Sequence, residues 1–492
     1  MKTSFYFAQQ KNICSQTLTS LTLSALTLAM CNHAYADTPK QKIEEVTVIG
    51  AYSSTASEAL GFDLPPQAVP ATINVLPSDL WQVSGARTLD DIMQFVPGVN
   101  LNDNGGWTGD ALVIRGFAAT LPFRNGMRSA NSYGQSLRAM QDNIERVEII
   151  KGPSATDFGV AEPGGLINFI TKKPQREHSG SGTVKIGEDG YRRFSVDTTG
   201  AMVASEELQG LLVLAYEEPP EWRMGRPDNT YRYLIAPSVN WEISNKANVL
   251  FSYEKLFQKS PQDRGIIYLE GAWPGGFAPR DWSVHQTSSN QENETDRFSI
   301  TTNVEITPSL EMTAVLEHQK YQYNLQEFRN AETELGFGNL YEEDGRTWSG
   351  ERITNLLWSD WKGDIPASSA KIFLDYSVGE HTFKFGYDNY SSKAKNTYAS
   401  YTIDNTLDIL APVNNQQPNF ISYDGASGDI IRTEESGFSI RWLGEWTPRF
   451  RTVVGARRFD FEYEGYEVYE AAKTSLRVSA SYDLNSIHTV FI

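Results

Sequence analysis

From about residue 178 to the end, the sequence alternates apolar and polar residues in runs too long for an ordinary soluble sheet. In "DRFSITTNVEI", Phe298, Ile300, Val304 and Ile306 share one face, while Arg297, Ser299, Thr301, Asn303 and Glu305 share the other. "SLRVSASYDL" sets Leu476, Val478, Ala480, Tyr482 and Leu484 against Arg477, Ser479, Ser481 and Asp483. "TFKFGYD" opposes Phe383, Phe385 and Tyr387 to Lys384 and Asp388, and "RRFDFEYE" separates Phe459, Phe461 and Tyr463 from Arg458, Asp460 and Glu462. A period of two means β-strands with two chemically different faces. A soluble sandwich strand has the same faces, but it runs about five or six residues, whereas a tilted strand that crosses a bilayer needs about ten. The connections alternate too. Tight turns are expected around Asn245, Pro308, Gly379, Pro448 and Asn485, and long loops near 259–295, 325–349 and 393–435. Short turns on one rim and long loops on the other are the pattern of an outer-membrane barrel.

The N-terminal residues are consistent with export. Lys2 and Lys11 form a positive start, Leu18 to Met30 an apolar run, and Ala34-Tyr35-Ala36 a small-x-small cleavage site, so the mature chain is expected to begin at Asp37. Lipoprotein processing at Cys31 is the alternative, although Met30 is bulky for the position before that cysteine. Cys14 and Cys31 both fall in the removed segment, leaving a mature chain without thiol or disulfide chemistry. Removal also takes two lysines and no acid from 43 basic and 61 acidic residues, so the mature charge lies near −20. Such a balance argues against nucleic acid as a partner. No later apolar run is long enough for a membrane-crossing helix.

Between tail and strands lies a mixed α/β block, residues 65–174. "ATINVLP" (Ala71 to Pro77) reads as a strand, and "ALVIRGF" and "NIERVEIIKGP" as further strands. "TLDDIMQFVPG" reads as a helix: Thr88 is an N-cap with Asp91 three residues on, and Leu89, Ile92, Met93 and Val96 make one buried face. "FRNGMR" carries an Asn-Gly turn, and "GLINFITKKP" closes the block. Gly152, Gly159, Gly164 and Gly165, with Pro153 and Pro163, read as tight backbone turns. Enzyme signatures fail on inspection. "GPSAT" has Thr156 where a nucleophile elbow requires glycine, no HExxH or CxxC occurs, and the mature histidines are scattered.

These residues carry a family likeness. "TLDDIMQFVPGVN", "VIRGF", "NGMR" and above all "NIERVEIIKGPSATDFGVAEPGGLINFITKKP" (Asn143 to Pro174) resemble the plug of TonB-dependent outer-membrane receptors, most closely those for ferric siderophores. "GEHTFKFGYDNY", "RFRTVVGARRFDFE" and "TSLRVSASYDL" resemble that family's barrel strands. The resemblance implies a signal peptide (1–36), a periplasmic tail (37–64), a plug (65–174) and a barrel (178–492). It implies import of a ferric siderophore energised through TonB and its inner-membrane complex, in a chain embedded in outer-membrane lipid. Iron would arrive within its chelator, with no cofactor and no protein ligand to the metal.

"EEVTVIG" stands where the family keeps its TonB box: Glu44, Glu45, Val46, Thr47, Val48, Ile49 and Gly50. Such an extended segment can add as a strand to a partner's sheet edge; on its residues alone it could equally pair with the plug or be disordered. Arg115, Glu145, Arg146 and Glu148 are the expected charge network of the plug, the alternative being an exposed strand of alternating charge. Trp107, Phe117, Phe123, Arg124 and Tyr133 are the expected ligand contacts at the plug apices, since aromatics and arginine suit a flat anionic chelate. The strand count departs from the family. Roughly 12 to 14 strands are expected here against about 22 in a closed barrel of this type, so a fragment or a truncated, inert product is expected, with a natural small barrel as a third option. A passive porin or adhesin barrel is the rival class, and haem or cobalamin the rival cargo.

Overall fold

A computed structural model describes residues 71–492 apart from 87, 102–111, 120–121, 131–139, 153–157, 160–161, 222–229, 262–266, 284–285, 331–339, 344 and 486–487. The segment Glu44–Gly50, the export signal, Trp107, Tyr133 and Pro153 lie outside the described residues.

The N-terminal block forms two small sheets. Strands β1 (Thr72–Pro77), β7 (Ile144–Lys151), β8 (Gly165–Thr171), β5 (Phe123–Arg124) and β6 (Met127–Arg128) pair in that order. Strands β2 (Val99–Leu101), β3 (Leu112–Ile114) and β4 (Phe117–Ala119) make the second sheet. Two short helices pack against them, α1 (Ser78–Ser84) and α2 (Leu89–Met93). The α2 cap matches its sequence signature: Asp91 N donates to Thr88 Oγ1 (3.3 Å), and Thr88 N donates to Asp91 Oδ2 (3.0 Å). Leu89, Ile92, Met93 and Val96 are buried together with Val147, Ile149 and Ile167, so the helical stripe meets the sheet. Helix α1 has no counterpart in the sequence reading, which stopped at Pro77; Trp81 anchors it and Gly85 ends it at φ 71°. The reading also took "VIRGF" as one strand, and it is a hairpin. Arg115 (φ 52°) and Gly116 (φ 88°) form the two-residue turn between β3 and β4.

Among the described residues, the remainder is one antiparallel sheet of 13 strands in sequence order. They are β9 (Ser179–Ile186), β10 (Arg192–Ala201), β11 (Leu208–Glu218), β12 (Tyr231–Ser244), β13 (Ala247–Ser260), β14 (Asn290–Thr307) and β15 (Leu310–Asn330). Then follow β16 (Ile353–Val378), β17 (His381–Asp408), β18 (Phe420–Thr447), β19 (Phe450–Glu464), β20 (Val468–Asp483) and β21 (Thr489–Phe491). The turns at Asn245, Pro308, Gly379, Pro448 and Asn485 all separate neighbouring strands on one rim. Of the expected long loops, 393–435 is shorter than the sequence suggested, because β17 and β18 stay paired as far as Ile403 and Phe420. Strands β9 and β21 form the two edges of the sheet.

Burial runs opposite to that of a soluble protein. On β18, Phe438 is 67% exposed while its neighbours Glu435 and Arg441 are buried. On β20, Leu476 and Val478 are exposed while Ser479 and Ser481 are buried. Large apolar side chains outside and hydrogen-bonded polar ones inside is the arrangement a lipid-facing wall requires. At the outward end of β19 the sense inverts: Phe459, Phe461 and Tyr463 are half-buried and Arg458, Asp460 and Glu462 are exposed. There the strand has risen past the apolar band, so charge faces out and aromatics face in.

Candidate functional site: the plug and its seat in the wall

The strand β7 carries the buried charge pair of the block. Arg146 Nε donates to Glu148 Oε1 at 3.0 Å, and Glu148 is wholly buried. Asn168 Nδ2 donates to the other oxygen of that carboxylate (3.4 Å), and Asn168 Oδ1 in turn accepts from Gly126 N (2.9 Å). Gly126 is the second residue of the Asn-Gly turn, where Asn125 (φ 49°) and Gly126 (φ 73°) join β5 to β6. Asn125 N is held by Phe169 O (2.8 Å), and its side chain exchanges hydrogen bonds with Thr171. The network therefore fixes the shape of a turn. That turn docks on the wall, since Lys371 Nζ of β16 donates to Gly126 O.

Two of the four expected network residues stand outside it. Glu145 is half-exposed with its carboxylate 3.7 Å from Arg146 Nη1. Arg115 is exposed on the β3–β4 turn, with no ion pair among the described residues, because a turn apex projects its side chain away from the sheet. Its guanidinium does reinforce the effect of burial in lowering the amine of Lys151, whose Nζ donates to Pro97 O at 2.5 Å.

Contacts from plug to wall come from residues 124–172. Arg124 donates to Glu254 of β13, and Asn143 Nδ2 donates to the same carboxylate (2.8 Å). Burial pulls the Arg124 guanidinium down, and Glu254 opposes that by favouring its charged form. Asp142 pairs with Arg193 of β10 (2.6 Å), Lys172 with Asp197 of β10, and Arg128 with Glu435 of β18 (3.4 Å). Arg128 also lies over the Tyr390 ring, 4.9 Å from its centroid. Other contacts use the plug backbone: Gln319 Nε2 donates to Arg128 O (2.7 Å) and Gln319 Oε1 accepts from Ala130 N (2.9 Å). The seam is not wholly polar. Met140 is buried among Leu211, Val213 and Leu234 of the wall, and Phe158 among Leu443 and Val453. Apolar pegs and charged clasps alternate around the seat.

Gly159 shows how closely the two parts approach. It has φ +81°, and a Cβ built on it would lie 1.9 Å from Glu435 Oε1. Gly165 has φ +133° and its Cβ would lie 2.1 Å from Ile150 O, so both conformation and space demand glycine there. Gly152 and Gly164 occupy the neighbouring turn, joined by Gly152 N donating to Gly164 O at 2.8 Å.

Among the expected ligand contacts, Phe123 and Arg124 are not at a tip. Phe123 is 1% exposed, edge-to-face with Phe158 at 5.2 Å, and Arg124 is occupied by Glu254. Both lie on β5, which the parallel pairing with β8 draws into the plug core. Phe117 is exposed beside the β3–β4 turn. Aromatic residues that the sequence reading did not assign to the ligand line the inner face of the wall. Trp361 packs on Tyr398 (centroids 4.4 Å apart), and Phe459, Phe461 and Tyr463 continue the surface on β19. Their only sequence signal was a break in which face of the alternation held the aromatics.

Comparison with known proteins agrees with this geometry. Residues 65–166 match the TonB-dependent receptor plug domain. The chain is 28% identical over 259 residues to the ferrichrome outer membrane transporter/phage receptor of Escherichia coli K12, covering 51% of this chain and 32% of that protein. It is 22% identical over 429 residues to the ferrioxamine B receptor of Salmonella typhimurium LT2, covering 82% and 57%. The ferripyoverdine receptor of the Pseudomonas aeruginosa outer membrane shares the fold, with a TM-score of 0.76 at 17% identity over 90% of this chain and 59% of that one. The chain thus spans between about a third and three-fifths of the length of these relatives. The plug of this chain is thus that of the TonB-dependent receptors, and its wall shares the fold of an outer-membrane receptor of that kind.

Proposed function

We propose that the chain binds a ferric siderophore on its outward side and imports it with energy delivered by TonB. The observation that supports this best is the seat of the plug: a folded block held inside a polar wall by a few buried charge clasps and small apolar pegs. Such a seat is firm at rest and breakable one contact at a time, which a passive pore does not need. Relatives bear the names of receptors for ferrichrome, catecholates and ferrioxamine B, all iron chelates. The half-buried aromatics Trp361, Tyr398, Phe459, Phe461 and Tyr463 offer flat faces to such a chelate. Iron stays within its chelator and is cargo, so no side chain of the plug need ligate it.

The segment Glu44–Gly50 is the proposed handle for TonB, adding as a strand to that partner's sheet. Proline at Val46 removes one backbone donor and fixes φ, which breaks strand addition without touching the ligand side. The test is uptake of radiolabelled ferric siderophore by whole cells expressing the chain. Val46→Pro should bind as much chelate as the parent and import none. Normal import by the variant would overturn the role of the segment, and import that persists with a protonophore would instead indicate a passive pore. Displacement of bound chelate by haem or cobalamin would overturn the siderophore reading.

A further inference from the structure

Between the plug and the first two strands of the wall lies a cavity of about 260 Å³ that neither part fills. Two of the clasps bound it: Asp142 with Arg193, and Lys172 with Asp197. Their wall partners stand four residues apart on β10, roughly 13 Å, and Ser195 between them is too short to close the gap. On β9, Lys185 faces Arg193 and Thr183 faces Ser195 across the ladder, so the same inward face continues onto the second strand. From the plug come Gln141, in the turn before β7, and Trp81 of α1. The exposed Gln82 of α1 marks where the cavity reaches solvent.

The carboxylates of the lining are committed, and two of its donors are not. Asp142 accepts from Arg193, and Asp197 accepts from Lys172 and from Ser181 N (3.0 Å). Arg193 is held further by Glu217, which Arg232 shares (3.1 Å). Lys185 is half-buried and has no ion pair or hydrogen bond among the described residues. Gln141 is 9% exposed, and its Nε2 is buried without a partner. Lys172, Lys185 and Arg193 against Asp142 and Asp197 leave the lining with one positive charge in excess, on a chain of net charge −18. A buried donor left unmade costs about 1–3 kcal/mol. A water would satisfy Gln141 and leave Lys185 without a counter-charge. An anion serves both.

We propose that this cavity binds a small solute carrying a phosphate group, held between plug and wall. Its oxygens accept from Lys185 Nζ, Gln141 Nε2 and the Ser195 hydroxyl. A tetrahedral phosphate has an oxygen for each of these three donors, whereas a planar carboxylate has only two. The space admits a short organic substituent and excludes anything drug-sized, for which pockets begin at about 300 Å³. Gln141 belongs to the plug, and Lys185 and Ser195 to the wall, so the site exists only while the plug is seated. The solute is therefore a removable clasp, and it favours the seated state by a factor of one plus the ratio of its concentration to its Kd. This rests on the contacts between plug and wall alone, and not on which chelate is imported or on TonB.

The test uses the full chain in detergent with glycerol 3-phosphate as the probe, and succinate and sodium chloride at matched ionic strength as controls. Calorimetric titration reads binding, and hydrogen exchange of the Gly165–Thr171 amides reads seating. The parent should bind glycerol 3-phosphate and, at ten times Kd, gain about elevenfold in protection, with neither control giving that gain. K185Q and Q141L should each weaken binding at least about tenfold, and S195L, which fills the gap with hydrocarbon, should abolish it. K185Q lies on a wall strand and covers the case in which Q141L does not seat its plug. No binding by the parent would mean that the cavity holds water alone. That result, equal protection from succinate or chloride, binding without a gain in protection, or undiminished binding by K185Q would each overturn the proposal.

Discussion

Substituting Gly159 by alanine tests whether the plug is seated as closely as the geometry says. Two costs arise and they can be separated. The backbone sits at φ +81°, where an L-residue loses about 1–2 kcal/mol. The new Cβ would also stand 1.9 Å from Glu435 Oε1, where a carbon–oxygen contact needs about 3.3 Å. The carboxylate must retreat by more than about 1 Å, which takes it away from Arg457 Nη2 and Arg128 Nη1, each 3.4 Å distant at rest. Disrupting a buried charge contact of this kind costs about 3–5 kcal/mol. Gly98→Ala supplies the control, since Gly98 has φ +74° and nothing within 4 Å of its Cβ position. Hydrogen exchange of the Gly165–Thr171 amides in the full chain reads plug opening directly. Protection should fall about tenfold in Gly98→Ala and at least about a hundredfold further in Gly159→Ala. Adding Glu435→Ala to Gly159→Ala should restore part of the difference, because the severe clash is then gone and only the contact with Arg457 Nη2, 2.9 Å from the Cβ position, remains. Equal loss in the two glycine variants, or no rescue, would refute the close approach.

The Arg124–Glu254 clasp should behave as a coupled pair: Arg124→Ala leaves a buried carboxylate with Asn143 alone and costs about 3–5 kcal/mol, while the Arg124→Ala/Glu254→Gln double variant costs less than that single change. Chemical denaturation followed by plug-strand exchange is the measurement, and a double variant worse than the single would contradict the pairing. Thr88→Ala removes the N-cap of α2 and should cost about 1 kcal/mol by the same assay, with no change at Gly165–Thr171 beyond global destabilisation. Phe438→Lys places a charge on the lipid-facing band and should cost about 2–4 kcal/mol in refolding into bilayers, whereas Lys at Ser436 nearer the rim should cost less.

The wall was legible because alternation and loop spacing are local properties of the chain. Most strand positions, the short turns and the outward apolar face follow from period two and from the length of the runs, but the pairing of β17 with β18 through much of 393–435 and the inward aromatics at the end of β19 do not. The capped helix was legible for the same reason, since Thr88 and Asp91 are three residues apart. What escaped was set by partners distant in sequence. Phe123 and Arg124 looked like an exposed tip because nothing nearby reveals that β5 pairs with β8, more than 40 residues on. Arg115 looked like a member of the network until Gly116 is recognised as half of a two-residue turn. Glu254, Gln319 and Lys371 could not be found at all, because an inward polar residue on one barrel strand is indistinguishable from an inward polar residue on any other.

Gln319 and Lys371 share a property that bears on how such receptors diversify. Both grip main-chain atoms of the plug: the carbonyls of Gly126 and Arg128 and the amide of Ala130. What these wall residues recognise is the path of a turn. Side chains along that turn are therefore free to change without loosening these holds, provided the bend keeps its shape. The lumen acts as a standard socket, so a lineage could vary the side chains of the plug turn while inheriting the fitting that holds it unaltered.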